Sequence, residues 1–143
     1  MRRTLLRSAI PAALLALAVS VAARAAGDAK PAGSPQAKAY ETLLKAVASG
    51  DYEGYKKSMT KAAAEGIDKE TKEMGLDPKK AMGMLKEFSP TDLEYTSLNV
   101  DGKKATLEAT GKVGGEANWG TIELEQEDGQ WKVANQSWTN TKK

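Results

Sequence analysis

Proton transfer is the chemistry that this chain's residue types support best, and the candidates for it are few. Beyond residue 25 the sequence contains no His, no Cys and no Arg. Thiolate nucleophiles and disulfides are therefore absent from that part, and zinc and copper lack their usual ligands. The planar fork that grips phosphate or carboxylate is missing too. Among the carboxylates, Glu94 stands out. Alternation places it on the apolar side of a strand, opposite Ala109, where burial would raise its pKa and make it a base. Tyr40 or Tyr55 would then serve as the proton donor. A carboxylate in such a position more often lies at an open sheet edge, so no catalytic set is assigned. Asp68, Glu70 and Glu73 have the charge for calcium but not the alternating oxygen ligands or central Gly of a calcium loop, and Lys69 and Lys72 sit among them. They read as a solvated helix face. No metal and no cofactor is expected.

Helices must position the tyrosines. Ser34-Pro35 opens the first, with Ser as N-cap and Pro where the N–H needs no partner. Tyr40, Leu43, Leu44 and Val47 follow at i, i+3, i+4 and i+7 as one apolar stripe, and Gly50 ends it. Asp51 caps a short second helix with Tyr52, Tyr55 and Met59 on one side. Residues 60–75 read as a helix broken at Gly66. Asp77-Pro78 caps a last helix that presents Ala81, Met82, Leu85 and Phe88 before Ser89-Pro90 stops it.

From Thr91 the hydrophobic period changes to two. Asp128-Gly129 suits a two-residue hairpin turn, which sets Leu124 against Val133, Gln126 against Trp131, Ile122 against Asn135 and Glu125 against Lys132. Asp101-Gly102 and Gly114-Gly115 mark two further turns, giving a four-stranded antiparallel meander. One face is apolar, with rows Leu98–Ala105–Leu124–Val133 and Thr96–Leu107–Ile122–Asn135. The other carries the ladder Lys104–Glu125–Lys132. Three turns yield one two-faced sheet, and that agreement specifies an α+β fold with N-terminal helices packed on a curved four-stranded meander. Continuing the same register, Leu93 faces Thr110, Thr110 faces Trp119, and Trp119 faces Trp138. That row lies on the outer face, with Tyr95 one row nearer. Leu93, Tyr95, Trp119 and Trp138 then form a partner-binding patch for another protein or a second copy. The competing expectation is a bulge at Asn118-Trp119-Gly120, which would turn Trp119 into the core.

The first 25 residues read as a secretory signal peptide. Arg2, Arg3 and Arg7 precede an apolar run from Ala9 to Ala23, shorter than the ~20 residues a membrane span needs. Ala23-Arg24-Ala25 then supplies a small-residue cleavage site. Paired Arg2-Arg3 leaves the route open between the general secretory and twin-arginine pathways. Cleavage after residue 25 of 143 leaves 118 residues and removes all four arginines, so 17 basic residues face 19 acidic ones and the net charge moves from +2 to −2. Nucleic acid is therefore not an expected partner, and without a basic amphipathic helix neither is a membrane surface. Residues 26–34 read as a flexible linker and residues 35–143 as the folded domain, periplasmic or extracellular.

Three stretches carry a family likeness: Ala48-Ser49-Gly50-Asp51-Tyr52, the run from Val100 to Leu107, and Glu127-Asp128-Gly129-Gln130-Trp131-Lys132-Val133. With helices first and a meander ending in Trp-Lys-Val, the chain resembles the nuclear transport factor 2-like (cystatin-like) superfamily, closest to small exported bacterial domains of unknown function. The resemblance implies a cone with a cavity between helices and sheet. It implies no particular activity, because the isomerases and dehydratases of that superfamily use Asp, His, Tyr or Arg sets that do not map onto this chain. The leading expectation is an exported, non-enzymatic domain that binds a small apolar ligand in its cone or a protein partner through its sheet. Its pocket candidates are Tyr40, Tyr55, Met59, Met82, Phe88, Glu94 and Trp131. The alternative is an isomerase- or lyase-like enzyme using a pocket carboxylate.

Overall fold

Four helices precede four strands in the computed structural model, which describes residues 31–142. The expected signal peptide and residues 26–30 of the expected linker lie outside the described residues. The end of that linker forms a turn, with Ser34 N donating to Pro31 O at 3.2 Å. Helix α1 spans Pro35–Ser49. It starts where Ser34 Oγ accepts from Ala37 N and ends at Gly50, whose φ of 72° closes the last turn. Helix α2, Tyr52–Lys57, is capped by Asp51, and α4, Pro78–Glu87, by Asp77. Helix α3 runs unbroken over Lys61–Glu73, which corrects the expected break at Gly66. A mid-helix Gly costs only about 1 kcal/mol, and contacts beyond it hold the C-terminal half. Tyr52 Oη donates to Asp68 Oδ1 at 2.9 Å, Lys56 Nζ reaches Asp68 Oδ2 at 3.3 Å, and Thr71 is buried. Asp68 is thus a tether between α2 and α3 rather than part of a merely solvated face.

The strands are β1 (Thr91–Asp101), β2 (Lys104–Val113), β3 (Glu116–Glu127) and β4 (Gln130–Thr139), an antiparallel meander in that order. The α+β arrangement read from the sequence is the one observed. Gly114-Gly115 and Asp128-Gly129 turn as expected, all four residues at positive φ. The first turn falls one residue later, on Gly102-Lys103. Val100 therefore opposes Ala105 and Leu98 opposes Leu107, a shift of two that keeps the faces unchanged.

Bulges are what the alternation did not reveal. In β4 the pair Leu124↔Val133 is followed by Glu123↔Asn135, so Ala134 is an extra residue. Every side chain beyond it changes face. Gln136, not Asn135, opposes Ile122, and Trp138 opposes Gly120 while Trp119 opposes Thr139. In β1 an extra residue lies between the pairs Tyr95↔Ala109 and Ser97↔Glu108. A second lies between Thr91↔Lys112 and Glu94↔Thr110, beside Asp92 at φ 53°. The β2–β3 register is unbroken, so no bulge forms at Asn118-Trp119-Gly120.

The core lies between helices and sheet. Tyr40, Leu43 and Val47 of α1 and Tyr55 of α2 meet Leu107, Ile122, Leu124 and Val133, all buried. The exposed edge of β4 is strapped by the α2–α3 connection. Val133 N donates to Ser58 O and Thr60 N donates to Val133 O, each at 3.0 Å, with Met59 bridging in parallel between them. Lys132 Nζ also donates to Lys57 O. The ladder on the outer face is therefore shared, with Lys104 paired to Glu125 at 3.6 Å and Lys132 drawn toward the helices.

Candidate functional site

A recess of about 300 Å³ opens between α1, α4 and the sheet. Leu43, Leu44 and Val47 line it from α1, Tyr55 from α2, and Leu85 and Phe88 from the end of α4. The sheet contributes Val113, Gln136 and Trp138. The α1 contribution follows directly from the 3.6-residue period. The Gln136 and Trp138 contributions exist only because of the Ala134 bulge, which turns both side chains inward. A notch of about 450 Å³ beside α4 is larger and also has apolar lining, from Val47, Tyr52 and Met82, but it is more open to solvent and is bordered by the exposed Lys79 and Lys86.

The polar end of the recess is one hydrogen-bonded cluster. Tyr40 Oη donates to Gln136 Oε1 at 2.6 Å. Trp138 Nε1 donates toward Tyr40 Oη at 3.3 Å and toward Gln136 Oε1 at 3.4 Å. An indole N–H can only donate, so it fixes the amide oxygen on its side. Gln136 Nε2 is left with no partner among the described residues, and the side chain is only partly buried. It is a polar donor available on a mostly apolar wall, to which Tyr55 and Ser89 also contribute hydroxyl-bearing side chains. Burial holds the Tyr40 phenol well above the ordinary tyrosine pKa, against the opposing hydrogen bond from Trp138. Burial likewise raises Tyr55.

No protein-family model and no curated protein matches this chain. Solved structures do resemble it. One is an NTF-2-like protein of unknown function from Silicibacter pomeroyi, 13% identical, with a TM-score of 0.47 over 72% of this chain and 90% of that one. Another is a SEC-C motif containing protein from Rhodopseudomonas palustris, 14% identical, with a TM-score of 0.48 over 69% of this chain and 74% of that one. Likeness at this level concerns the arrangement of helices and strands, and the chemistry of the recess stands on its own geometry.

Of the expected pocket residues, Tyr55 and Phe88 line the recess and Tyr40 anchors its polar end. Phe88 is a rim residue, 67% exposed, and not a core one. Met82 is a buried residue of α4, Met59 lies in the β4 strap, and Trp131 packs on the core at the far end of the sheet. None of these three lines the recess. Glu94 is a correction. The extra residue in β1 gives the inward position opposite Ala109 to Tyr95 and turns Glu94 outward, exposed, opposite Thr110. It reaches neither tyrosine's side of the sheet, so the base-and-donor reading has no geometry to rest on.

The expected partner patch is also dispersed. Leu93 packs over Gly111, Tyr95 lies on the core, and Trp138 faces Gly120 from within; of the four only Trp119 stays outside. Tyr95 Oη is buried with no hydrogen-bond partner among the described residues, and burial together with the nearby Glu41 carboxylate holds its pKa well above the ordinary value. A signal for the rearrangement was present in the sequence. Gly111 and Gly120 interrupt strands on the apolar side, and glycine in a strand marks a site where something bulky approaches the backbone. At Gly120 that is the Trp138 ring, which an added Cβ would meet at 2.6 Å.

Proposed function

We propose that this is a binding domain whose recess takes a small apolar ligand bearing one hydrogen-bond acceptor. The observation that carries the reading is the unengaged Gln136 amide nitrogen on the mostly apolar wall of a recess of about 300 Å³. Pockets of this size with a few fixed polar groups orient ligands by those groups and hold them by apolar contact. A ligand that covered this donor without pairing it would carry the cost of desolvating it, so a carbonyl or ether oxygen in the ligand would be favoured over a plain hydrocarbon. Trp138 belongs to the same hydrogen-bonded cluster and serves as the reporter. Titration with 2-octanone should shift the Gln136 side-chain amide resonances and change tryptophan fluorescence saturably. Val113→Phe, which fills the mouth, should abolish the change, and Gln136→Leu should weaken it. Shifts that persist in Val113→Phe would overturn the assignment.

The recess would serve an exported protein. The basic start, the apolar run and the Ala23-Arg24-Ala25 site support cleavage after Ala25, with delivery to the periplasm or beyond. N-terminal sequencing of the protein from its own cells should begin at or near Ala26, and an intact Met1 would end this reading.

A further inference from the structure

The outer face of the sheet carries a second concavity, on the opposite side of the sheet from the recess. Around Trp119 the outward side chains are Thr110, Thr121, Ser137 and Thr139, and Thr141 beyond β4 completes a groove of about 400 Å³. Trp119 is half-buried and pairs with Thr110 on one side and Thr139 on the other. The charged lining is one residue of each sign, Glu108 and Lys142. The Glu108 carboxylate accepts from Ser97 Oγ at 2.9 Å, which holds it while leaving most of its acceptor sites free.

This chemistry excludes the commoner occupants. An apolar protein face laid here would bury several hydroxyls without partners, at a cost of about 1–3 kcal/mol each. A lining with no net charge exerts no pull on a polyanion or an anionic lipid surface. What the groove does match is a molecule with its own hydroxyls at its edges and an apolar C–H face to lie on the indole. We propose that the outer face around Trp119 binds a neutral oligosaccharide. Trp119 is its stacking platform, and Glu108 with the Thr and Ser hydroxyls pairs the sugar hydroxyls. The groove shares no lining residue with the recess, so the two readings stand or fall separately.

The test is titration of isotopically labelled protein with chitotetraose and with cellotetraose, each into the millimolar range, followed by backbone and indole resonances. Saturable shifts are expected at Thr110, Trp119, Thr121 and Thr139 with at least one of the two sugars. Trp119→Ala should weaken that binding by about ten-fold or more, with thermal unfolding run alongside as a folding control. Thr121→Val and Glu108→Gln, both conservative and away from the core, should each weaken it and answer the question if Trp119→Ala does not fold. No binding of either sugar overturns the proposal. So does binding that these variants leave unchanged, or shifts that appear at Leu44 and Gln136 instead.

Discussion

At the scale of single residues, the meeting of Gly120 and Trp138 governs the sheet's inner surface. The indole occupies the space where a Cβ would stand, within 2.6 Å of it, and in doing so brings Nε1 to Tyr40 and Gln136. Gly120→Ala should therefore cost about 1–3 kcal/mol by overpacking, read as a lowered denaturation midpoint. It should also displace Trp138 and alter its fluorescence. Tyr40 makes a second prediction through its raised pKa. Below about pH 10, the ordinary tyrosine value, folded and unfolded chains both keep the phenolic proton, and its contribution to stability is complete. As pH rises beyond that, the unfolded chain ionises first, so stability falls until the folded-state value is passed. Tyr40→Phe should lose about 0.5–1.5 kcal/mol at neutral pH with the hydrogen bond to Gln136. It should also make the alkaline fall shallower. Urea midpoints measured on both sides of the ordinary tyrosine pKa test both halves of this prediction.

At the scale of elements, what was legible in the sequence was whatever local chemistry enforces. Ser34, Asp51 and Asp77 cap helices where they stand, and Gly114-Gly115 and Asp128-Gly129 turn the chain where expected. The Ala105–Leu124–Val133 row follows from those turns. The candidate site was legible on its α1 side alone, because a helical stripe needs no information from elsewhere. Its sheet side was not. Thr96 and Ala134 carry no local mark of a bulge, and the packing that the second one sets up, Trp138 over Gly120, depends on a neighbouring strand. Alternation counted straight through them assigns Glu94, Tyr95, Gln136 and Trp138 to the wrong faces. Deleting Ala134 is the corresponding test. The deletion should restore the uninterrupted register, turn Trp138 to the outer face opposite that of Tyr40, and red-shift its emission. Unchanged emission would show that something other than the bulge sets the orientation of the strand's end.

At the scale of the whole molecule, the sheet separates two concavities of opposite character, an apolar recess under the helices and a hydroxyl-lined groove outside. Its two edges are dealt with differently. The edge at β4 is strapped by Ser58–Thr60, whereas β1 is interrupted twice by its extra residues. A bulged, twisted edge is a poor template for another strand, so edge-to-edge association should be weak and the protein's mass by sedimentation insensitive to concentration through this route. The strap has a further consequence, for the order of events in making the protein. The first helix finds its hydrogen-bonding partners 96 and 98 residues away, in Gln136 and Trp138. The α2–α3 connection finds its partner at Val133. Contacts so distant along the chain form slowly, after the local ones have little left to contribute. A nascent chain released before Val133 would hold four helices with no last strand to close on, and a fragment ending there should show no cooperative thermal transition. The fold thus stays open until the last strand is available for the helices to close on.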